Sequence, residues 1–513
     1  MKRPNRRTGA EALVEGLVRS GADVIFGYPG GNVLDIFDAV RASGVRFVLG
    51  RHEQGCVHMA DGYARALGRP GVVLVTSGPG LTNTITGLGC ANMDGVPLIL
   101  ICGQVPLDDI GTDAFQEADT VGLTRAVSKH NFLVKSADEI PETIAQAFYI
   151  ATHGKPGPVV IDVPRDCQRA LTSVRDPERV CLRAYHPEVF ATPRQVNRLA
   201  KLLNAAKRPV IYAGGGVISA DASADVTALA RKAQIPVVTT MMGIGAIDEG
   251  EELALGMSGV YGGECANRAL SEADFILALG VRFNDRVAWK TRARVVHVDC
   301  DPSSINKNVT VDFGIVADVK ELLTTVNSRI RPAEHADWLA SLAVGRRREA
   351  GPRLLPSEVI VTTDVGEHQL WAVRNVPHVF PRHFLTSGGM GAMGFGIPAA
   401  IGAAIARPDH RVVALVGDGG AQMTGEELIV AVDEQLSVTF VVFVNGRLGL
   451  VSSMQRTDFG GRTFATELKS PDFVKLARAY GMKSARVEGL KALPSALARS
   501  LRGKGPSLLE VKW

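Results

Sequence analysis

The chain has 513 residues, with 57 Lys and Arg against 53 Asp and Glu, a net charge of +4, 46% hydrophobic residues and 21% charged residues. This length and balance allow a large core divided into two to four domains, and they exclude disordered, collagen-like and coiled-coil chains. Basic residues are spread without long runs, and the basic start is short, at Lys2, Arg3, Arg6 and Arg7. Since this run is too short for a nucleic-acid surface, we expect a protein that acts on small molecules.

The N-terminal third of the chain alternates predicted helices and strands. Thr8 and Glu11 have the spacing of a capping box at the start of an amphipathic helix. Apolar runs, each followed by a turn and a helical stretch, then predict strands at 46–49, 72–76, 98–102 and 159–163. This βαβ pattern predicts an α/β fold with a doubly wound parallel sheet.

Two polar stretches, at 172–193 and 331–356, interrupt this pattern and predict three domains of the same type. We expect the domains to occupy residues 1–175, 190–335 and 355–513. Further strands are predicted at 209–213, 235–239, 275–279 and 295–298 in the middle domain, and at 412–416 and 438–444 in the last. The first and third domains are alike in size and pattern, which suits a site shared between them.

Cysteine usage and the apolar runs predict a soluble, cytoplasmic protein. The seven cysteines have no Cys-x-x-Cys spacing, which is typical of buried thiols in a reducing compartment and disfavours a zinc site. Glu11, Glu15 and Arg19 follow the basic start, so no signal peptide is expected. The longest uncharged run, 386–406, is rich in glycine and contains Pro398, which makes a membrane-spanning helix a poor interpretation.

Candidate metal ligands follow two predicted strands of the last domain. Gly417-Asp418-Gly419 follows the first strand, and Thr424 with Glu427 has the spacing of a second capping box. The next strand ends at Asn445-Gly446. Because neighbouring strand ends meet at one edge of a parallel sheet, oxygens of Asp418, Asn445 and the Arg447 backbone, with phosphate oxygens, could form the octahedral shell of Mg²⁺. Two ordinary turns are the alternative interpretation.

Gly417-Asp418-Gly419 with Asn445 resembles the thiamine diphosphate motif, and other segments resemble one branch of that superfamily, the acetohydroxyacid (acetolactate) synthase catalytic subunits. The motifs that carry this resemblance lie at 27–31 (GYPGG), 51–55 (RHEQG), 77–80 (SGPG), 111–117 (GTDAFQE), 129–132 (KHNF) and 393–396 (MGFG). The resemblance implies pyrimidine-binding, central FAD-binding and diphosphate-binding domains. It also implies a homodimer or homotetramer with active sites shared between chains, and a regulatory small subunit as a candidate partner.

The resemblance assigns the acid/base role to Glu53, which lies in the RHEQG motif. In the resembling family this carboxyl group bonds the pyrimidine ring of the cofactor and promotes its imino tautomer. Taken alone, Glu53 is an ordinary first-turn helix residue. The resemblance further places three groups of residues around the cofactor and the reacting carbons: Gly31, Phe115 and Gln116 in the pocket; Gly80, Asn83, Gly391 and Met393 at the pyrimidine; and Glu367, His368, Gly419 and Gly420 near the diphosphate. A core phenylalanine and a surface glutamine are the alternative for Phe115 and Gln116.

Substrate residues are also implied by the resemblance. Arg286 would hold the carboxylate of the incoming 2-ketoacid, a bidentate role suited to guanidinium, although a surface pair with Asp285 is the alternative. Arg165 stands where the family generally has Lys, and Met454 stands where it normally has the tryptophan that favours 2-ketobutyrate. Pyruvate is the expected donor.

Glycines, a threonine and an aspartate at predicted strand ends of the middle domain suit a dinucleotide, and together they resemble the FAD site of this family. They are Gly214, Gly215, Gly216, Thr239 and Asp299, and the resemblance adds Arg282 to them. The resemblance implies a mainly structural flavin.

We therefore expect a thiamine diphosphate-, Mg²⁺- and FAD-dependent acetolactate synthase of branched-chain amino acid biosynthesis. One alternative is a related 2-ketoacid decarboxylase or carboligase with another acceptor. It is suggested by Met454 and by Leu450, which stands in place of a common Met. A third reason is that the family usually continues with a tail beyond the position of Trp513. A second alternative is a non-catalytic flavin- or nucleotide-binding paralogue, against which Glu53, Asp418 and Asn445 argue.

Overall fold

The computed structural model describes residues 6–287, 291–349, 354–376 and 378–513. Lys2 and Arg3 of the basic start lie outside these residues. The described chain forms two compact units. The first contains residues up to 185 together with 360–369 and 385–513, and the second contains residues of 186–359 and 370–384.

The N-terminal part of the first unit is a six-stranded parallel sheet in the order β3-β2-β4-β5-β7-β6, with a separate antiparallel ribbon of β1 and β8. Its strands are β1 Arg7–Thr8, β2 Val24–Gly27, β3 Arg46–Leu49, β4 Gly71–Val75, β5 Leu98–Gln104, β6 His130–Leu133, β7 Pro158–Pro164 and β8 Leu171–Thr172. Its helices are α1 Gly9–Arg19, α2 Leu34–Ser43, α3 Glu53–Leu67, α4 Pro79–Thr82, α5 Ile85–Asp94, α6 Thr120–Thr124, α7 Ile140–Thr152 and α8 Arg165–Arg169. The predicted Thr8 and Glu11 capping box at α1 is confirmed.

The second unit contains a six-stranded parallel sheet in the order β11-β10-β9-β12-β13-β14. Its strands are β9 Pro209–Ala213, β10 Val237–Thr239, β11 Ala254–Met257, β12 Phe275–Leu279, β13 Arg294–Asp299 and β14 Phe313–Val316. Its helices are α9 Pro193–Ala205, α10 Gly215–Ser219, α11 Ser223–Ala233, α12 Glu264–Glu272, α13 Val319–Asn327 and α14 Ala336–Glu349. The polar stretch 331–356 contains helix α14, which the sequence analysis did not predict, and its Trp338 is buried and donates to the Pro209 carbonyl at 3.2 Å.

The C-terminal part of the chain forms the third sheet, in the order β16-β15-β17-β18-β20-β19. The pairs β15-β17, β17-β18, β18-β20 and β20-β19 are parallel. Its strands are β15 Ile360–Thr363, β16 Phe384–Thr386, β17 Val412–Gly417, β18 Val438–Val444, β19 Lys483–Val487 and β20 Ser507–Lys512. Its helices are α15 Glu367–Asn375, α16 Gly396–Ala406, α17 Asp418–Ala421, α18 Leu428–Asp433, α19 Gly449–Asp458, α20 Phe473–Ala479 and α21 Leu493–Arg502. The predicted α/β class is confirmed.

Helices α3 and α16 pack against each other inside the first unit and join the first and third sheets in one core. Two glycines make the approach possible. A Cβ on Gly62 would lie 2.2 Å from the Ala399 carbonyl oxygen, and a Cβ on Gly402 would lie 1.8 Å from that of Met59. The uncharged run 386–406 thus supplies a strand end, a loop and the buried helix α16. Among the described residues, no helix combines the length and apolar character needed to cross a membrane.

Candidate active site

Asp418 and Asn445 meet at the carboxyl edge of the third sheet. They follow the parallel neighbours β17 and β18. Asp418 is 2% exposed, and its Oδ2 accepts from the Gly446 amide at 2.9 Å and from the Ser470 hydroxyl at 2.6 Å. Asn445 Oδ1 accepts from the Arg447 amide at 3.1 Å. In the described part of the chain no cluster of three or more His, Cys, Asp or Glu side chains could hold a metal, so a cation here would depend on amide and backbone oxygens.

The prediction of a second capping box at Thr424 and Glu427 is wrong. The Thr424 hydroxyl donates to the Gly394 carbonyl at 2.9 Å and makes no cap hydrogen bond. The Glu427 carboxylate accepts from the backbone amides of Arg51 and His52, which belong to the first sheet's domain. Both side chains make long-range contacts that sequence spacing does not reveal.

The glycine-rich loop at 387–394 is anchored by a buried ion pair. Gly388 and Gly389 donate their amides to the Asp94 carboxylate at 3.0 and 2.8 Å. Arg65 binds the same carboxylate at 3.0 Å and donates to the Thr386 carbonyl at 3.0 Å. Asp94 and Arg65, which the sequence analysis missed, therefore hold the loop that carries the predicted cofactor residues Gly391 and Met393.

Asp364 holds the other end of this loop. It is 1% exposed and its carboxylate accepts from the Gly394 amide at 3.0 and 2.9 Å and from the Val365 amide at 2.8 Å. Burial raises the pKa of Asp364 to about 7, against these backbone bonds, which lower it. A Cβ on Gly420 would lie 2.0 Å from Asp364 Oδ2, so Gly420 is required by this contact whether or not a ligand is bound.

Glu367 and His368 lie at the same edge of the third sheet. His368 is 5% exposed, its ring lies nearly parallel to that of Phe443 with centroids 6.2 Å apart, and its Nε2 is buried without a hydrogen bond. Burial lowers the pKa of His368 to about 4, so the ring is neutral at pH 7. Glu367 Oε2 accepts from Asn445 Nδ2 at 3.4 Å, which places a carboxylate next to a predicted metal ligand.

The second group of predicted residues lies at the carboxyl edge of the first sheet. Glu53 is the first residue of α3, and its Oε2 accepts from Asn83 Nδ2 at 2.9 Å. A Cβ on Gly80 would lie 3.6 Å from Glu53 Oε1. Gly78 has φ +58°, and a Cβ there would lie 2.9 Å from the Gln116 carbonyl oxygen. Glu53, Gly80 and Asn83 are therefore neighbours, and Gln116 lies against their loop.

Phe115 is 88% exposed, so the alternative that it is a core residue is wrong. Gly31 is exposed in a turn of 3₁₀-helix at 31–33. Met454 is 42% exposed on α19. Arg165 Nε lies 3.8 Å from Asp35, and Arg286 Nε lies 3.5 Å from Asp285, which is the surface pair considered as the alternative for Arg286.

The predicted flavin residues share the carboxyl edge of the middle sheet. Gly214 to Gly216 follow β9, Thr239 ends β10, Arg282 follows β12 and Asp299 ends β13. A Cβ on Gly214 would lie 2.0 Å from the Gly280 carbonyl oxygen, and a Cβ on Gly216 would lie 2.6 Å from the Gly280 Cα. Close backbone packing therefore requires both glycines. The Thr239 hydroxyl is buried without a hydrogen bond.

The sequence matches three thiamine pyrophosphate enzyme families: the N-terminal TPP binding domain over residues 7–123, the central domain over 196–326 and the C-terminal TPP binding domain over 364–511. It is 41% identical to a probable acetolactate synthase large subunit of Methanocaldococcus jannaschii, covering 98% of this chain and 91% of the relative. The chain belongs to the acetolactate synthase large-subunit family. It is also 42% identical to the acetolactate synthase isozyme 3 large subunit of Escherichia coli, over 96% of this chain and 92% of the relative, and 40% identical to the acetolactate synthase large subunit of Corynebacterium glutamicum, over 97% and 85%.

Membership of the acetolactate synthase large-subunit family confirms the predicted resemblance, the fold class and the expectation of a thiamine diphosphate-dependent enzyme. It confirms the acetolactate synthase function at the level of the family. The relatives are named large subunits, which implies that a smaller subunit accompanies them.

Proposed function

We propose that this chain joins the two-carbon unit of pyruvate to a second 2-ketoacid, with residues at the edges of the first and third sheets holding thiamine diphosphate. When bound, thiamine diphosphate supplies the carbon nucleophile and accepts the electron pair left by loss of CO₂. The observation that carries the proposal is the meeting of buried Asp418 with the Asn445-Gly446 turn. It supports a divalent cation and a diphosphate at that edge, because a buried carboxylate beside an amide oxygen favours Mg²⁺.

The residues fit this cofactor. Asp418, Asn445 and the Arg447 carbonyl would hold Mg²⁺, and the backbones of Gly419 and Gly420 with His368 would bind the diphosphate. The buried His368 Nε2 without a hydrogen bond supports this role, since a buried polar atom is normally paired. Met393 and Gly391 would contact the rings. The Met393 methyl group would lie 3.1 Å from a Cβ on Gly419, so Met393 is a neighbour of the glycines proposed for the diphosphate.

Glu53 would hold a proton at the pyrimidine nitrogen. Its bond from Asn83 orients the carboxylate, and Gly80 lies beside it, since a Cβ on Gly80 would be 3.6 Å from Glu53 Oε1. Gly31, Phe115 and Gln116 would line the pocket of the reacting carbons. Arg286 would bind the carboxylate of the second ketoacid and Arg165 would add a cationic group, both by charge-assisted hydrogen bonds. Met454 would help select that ketoacid.

FAD would bind at the edge of the middle sheet, on Gly214 to Gly216, Thr239, Arg282 and Asp299. The unpaired buried hydroxyl of Thr239 supports a ligand there. We further propose a homodimer or homotetramer with shared active sites, a regulatory small subunit, a cytoplasmic location and domain limits of 1–175, 190–335 and 355–513. The seven cysteines, all within the described residues, form no disulfide with one another, which supports the reducing location.

The test is product analysis after incubating the purified protein with pyruvate, thiamine diphosphate, Mg²⁺ and FAD, with and without 2-ketobutyrate. We expect acetolactate from pyruvate and its loss in Glu53→Gln and Asp418→Ala variants. Acetaldehyde and CO₂ without acetolactate would favour the decarboxylase alternative. Full activity of both variants would contradict the assigned residues.

Met454→Trp belongs in the same assay as a test of the acceptor. A larger aromatic side chain should raise the ratio of the 2-ketobutyrate product to acetolactate. The increase should correspond to about 1–3 kcal/mol of selectivity. An unchanged ratio would remove Met454 from the acceptor site.

A further inference from the structure

Glu427 is a fully buried carboxylate whose hydrogen bonds run to the backbone of a distant segment. It is 0% exposed. Its Oε1 accepts from the His52 amide at 2.9 Å and from the Arg51 amide at 3.2 Å, and its Oε2 accepts from the Arg51 amide at 3.0 Å. Carboxylates that accept backbone amides form strong, directional bonds, so these two peptide groups are held in place.

The segment that Glu427 holds leads directly into Glu53. Arg51 and His52 form the turn between β3 and α3, His52 Nδ1 caps α3 by accepting from the Gln54 amide at 3.1 Å, and Glu53 opens the helix. The first amides of a helix need partners outside it, and the direction of the first turn depends on them. The position of the Glu53 carboxylate therefore depends on the turn that Glu427 fixes.

The Glu427 carboxylate also packs against the helix that Glu53 opens. A Cβ on Gly55 would lie 2.0 Å from Glu427 Oε1, so the first turn of α3 touches Glu427 directly. Arg51, whose amide Glu427 accepts, directs its guanidinium to the Leu49 carbonyl at 2.8 Å and to Asp433 at 2.5 Å. Glu427 thus contacts both the backbone of the turn and the first turn of α3.

From these contacts we infer that Glu427 is a positioning residue for Glu53: it sets the turn at Arg51 and His52 so that the Glu53 carboxylate meets the pyrimidine nitrogen. This inference rests on the proposed role of Glu53. The sequence pattern offered no sign of it, because the same residue has the spacing of a helix cap.

The test uses Glu427→Ala, Glu427→Asp and Glu427→Gln, with Glu426→Gln as the matched control. Glu426 is the adjacent, half-buried acid, and the Arg51 and His52 amides donate to Glu427 instead. Two quantities are measured in each protein. The first is amide hydrogen exchange at Arg51 and His52 in the cofactor-free protein, and the second is deuterium exchange at the thiazolium carbon of bound thiamine diphosphate. Thermal unfolding reports whether each variant folds.

In Glu427→Ala and Glu427→Asp we expect amide exchange at the turn to rise about tenfold or more. Thiazolium exchange should slow about 100-fold, as a displaced catalytic group predicts. Glu427→Gln keeps an acceptor oxygen at the Oε1 position and should stay within about threefold of the parent protein, and Glu426→Gln should match the parent. If Glu427→Ala does not fold, Glu427→Asp, which keeps the charge and removes one methylene, carries the test.

Parent-like thiazolium exchange in a folded Glu427→Asp or Glu427→Ala protein would overturn the inference, and so would equal slowing in Glu426→Gln. Glu53→Gln separates this result from a failure of the proposed function. If Glu53→Gln leaves thiazolium exchange unchanged, the role of Glu53 is wrong; if it stops exchange while the Glu427 variants do not slow it, only the positioning role is wrong.

Discussion

At the scale of single residues, Asp162 illustrates how a buried acid makes stability depend on pH. It is 2% exposed on β7, and its Oδ2 accepts from Gln104 Nε2 at 3.0 Å. Burial raises the pKa of Asp162 to about 7, although bonds from Gln104 and Thr120 lower it. Since the unfolded value is about 4, the folded chain binds an extra proton between these two pH values. The contribution of Asp162 to the free energy of unfolding therefore falls as the pH rises from about 4 to about 7, and it is constant above that range.

Asp162→Asn should remove this pH dependence, because the amide keeps the acceptor oxygen for Gln104 and never ionises. The free energy of unfolding is measured with urea for both proteins. The value of the parent relative to that of Asp162→Asn should fall by about 2 kcal/mol between about pH 5 and about pH 8. Asp108→Asn is the control, since Asp108 is exposed. A difference that stays constant with pH would show that Asp162 does not titrate in this range.

At the scale of secondary structure, the crossing of α3 and α16 leaves no space for a side chain at Gly402. The Cβ of Gly402→Ala would lie 1.8 Å from the Met59 carbonyl oxygen, and backbone atoms cannot rotate away as a flexible side chain can. We expect a net loss of about 1–3 kcal/mol in the free energy of unfolding, even though alanine favours a helix over glycine by about 1 kcal/mol.

The matched control is Gly425→Ala, because a Cβ on Gly425 meets no atom within 4 Å. This substitution should change stability by less than about 0.5 kcal/mol. Both variants are compared with the parent by urea unfolding. Equal effects of the two substitutions would contradict the close crossing of α3 and α16.

The strands were predicted well because buried parallel strands form continuous apolar runs. Strands β3, β9, β12 and β18 match their predicted limits, whereas β10 begins at Val237, two residues after the predicted start. Local patterns failed where distant contacts decide the structure. Glu427 has the spacing of a cap yet bonds a turn of the first domain, and α14 lies in a polar stretch because Trp338 is buried on the middle sheet. Asp94 and Asp364 likewise gave no local signal, since their partners are amides far along the chain.

At the scale of the whole molecule, the two cofactors are expected to stabilise different units. The residues proposed for thiamine diphosphate and Mg²⁺ belong to the first unit, and those proposed for FAD belong to the second. A ligand that binds only the folded form stabilises it by about 2.7 kcal/mol at about 100 times its Kd. This stabilisation should appear where the ligand binds, because local opening is suppressed there first.

Peptide-resolved hydrogen exchange can locate each effect. Thiamine diphosphate with Mg²⁺ should slow exchange in peptides around Asp418 and Asn445, and FAD should slow it around Thr239 and Asp299. Asp418→Ala should abolish only the first protection and Arg282→Ala only the second, so each variant is the control for the other ligand. Protection of the Thr239 peptides by thiamine diphosphate alone, or no protection of them by FAD, would contradict this assignment of the two cofactors, because neither result is expected if the middle sheet alone binds the flavin.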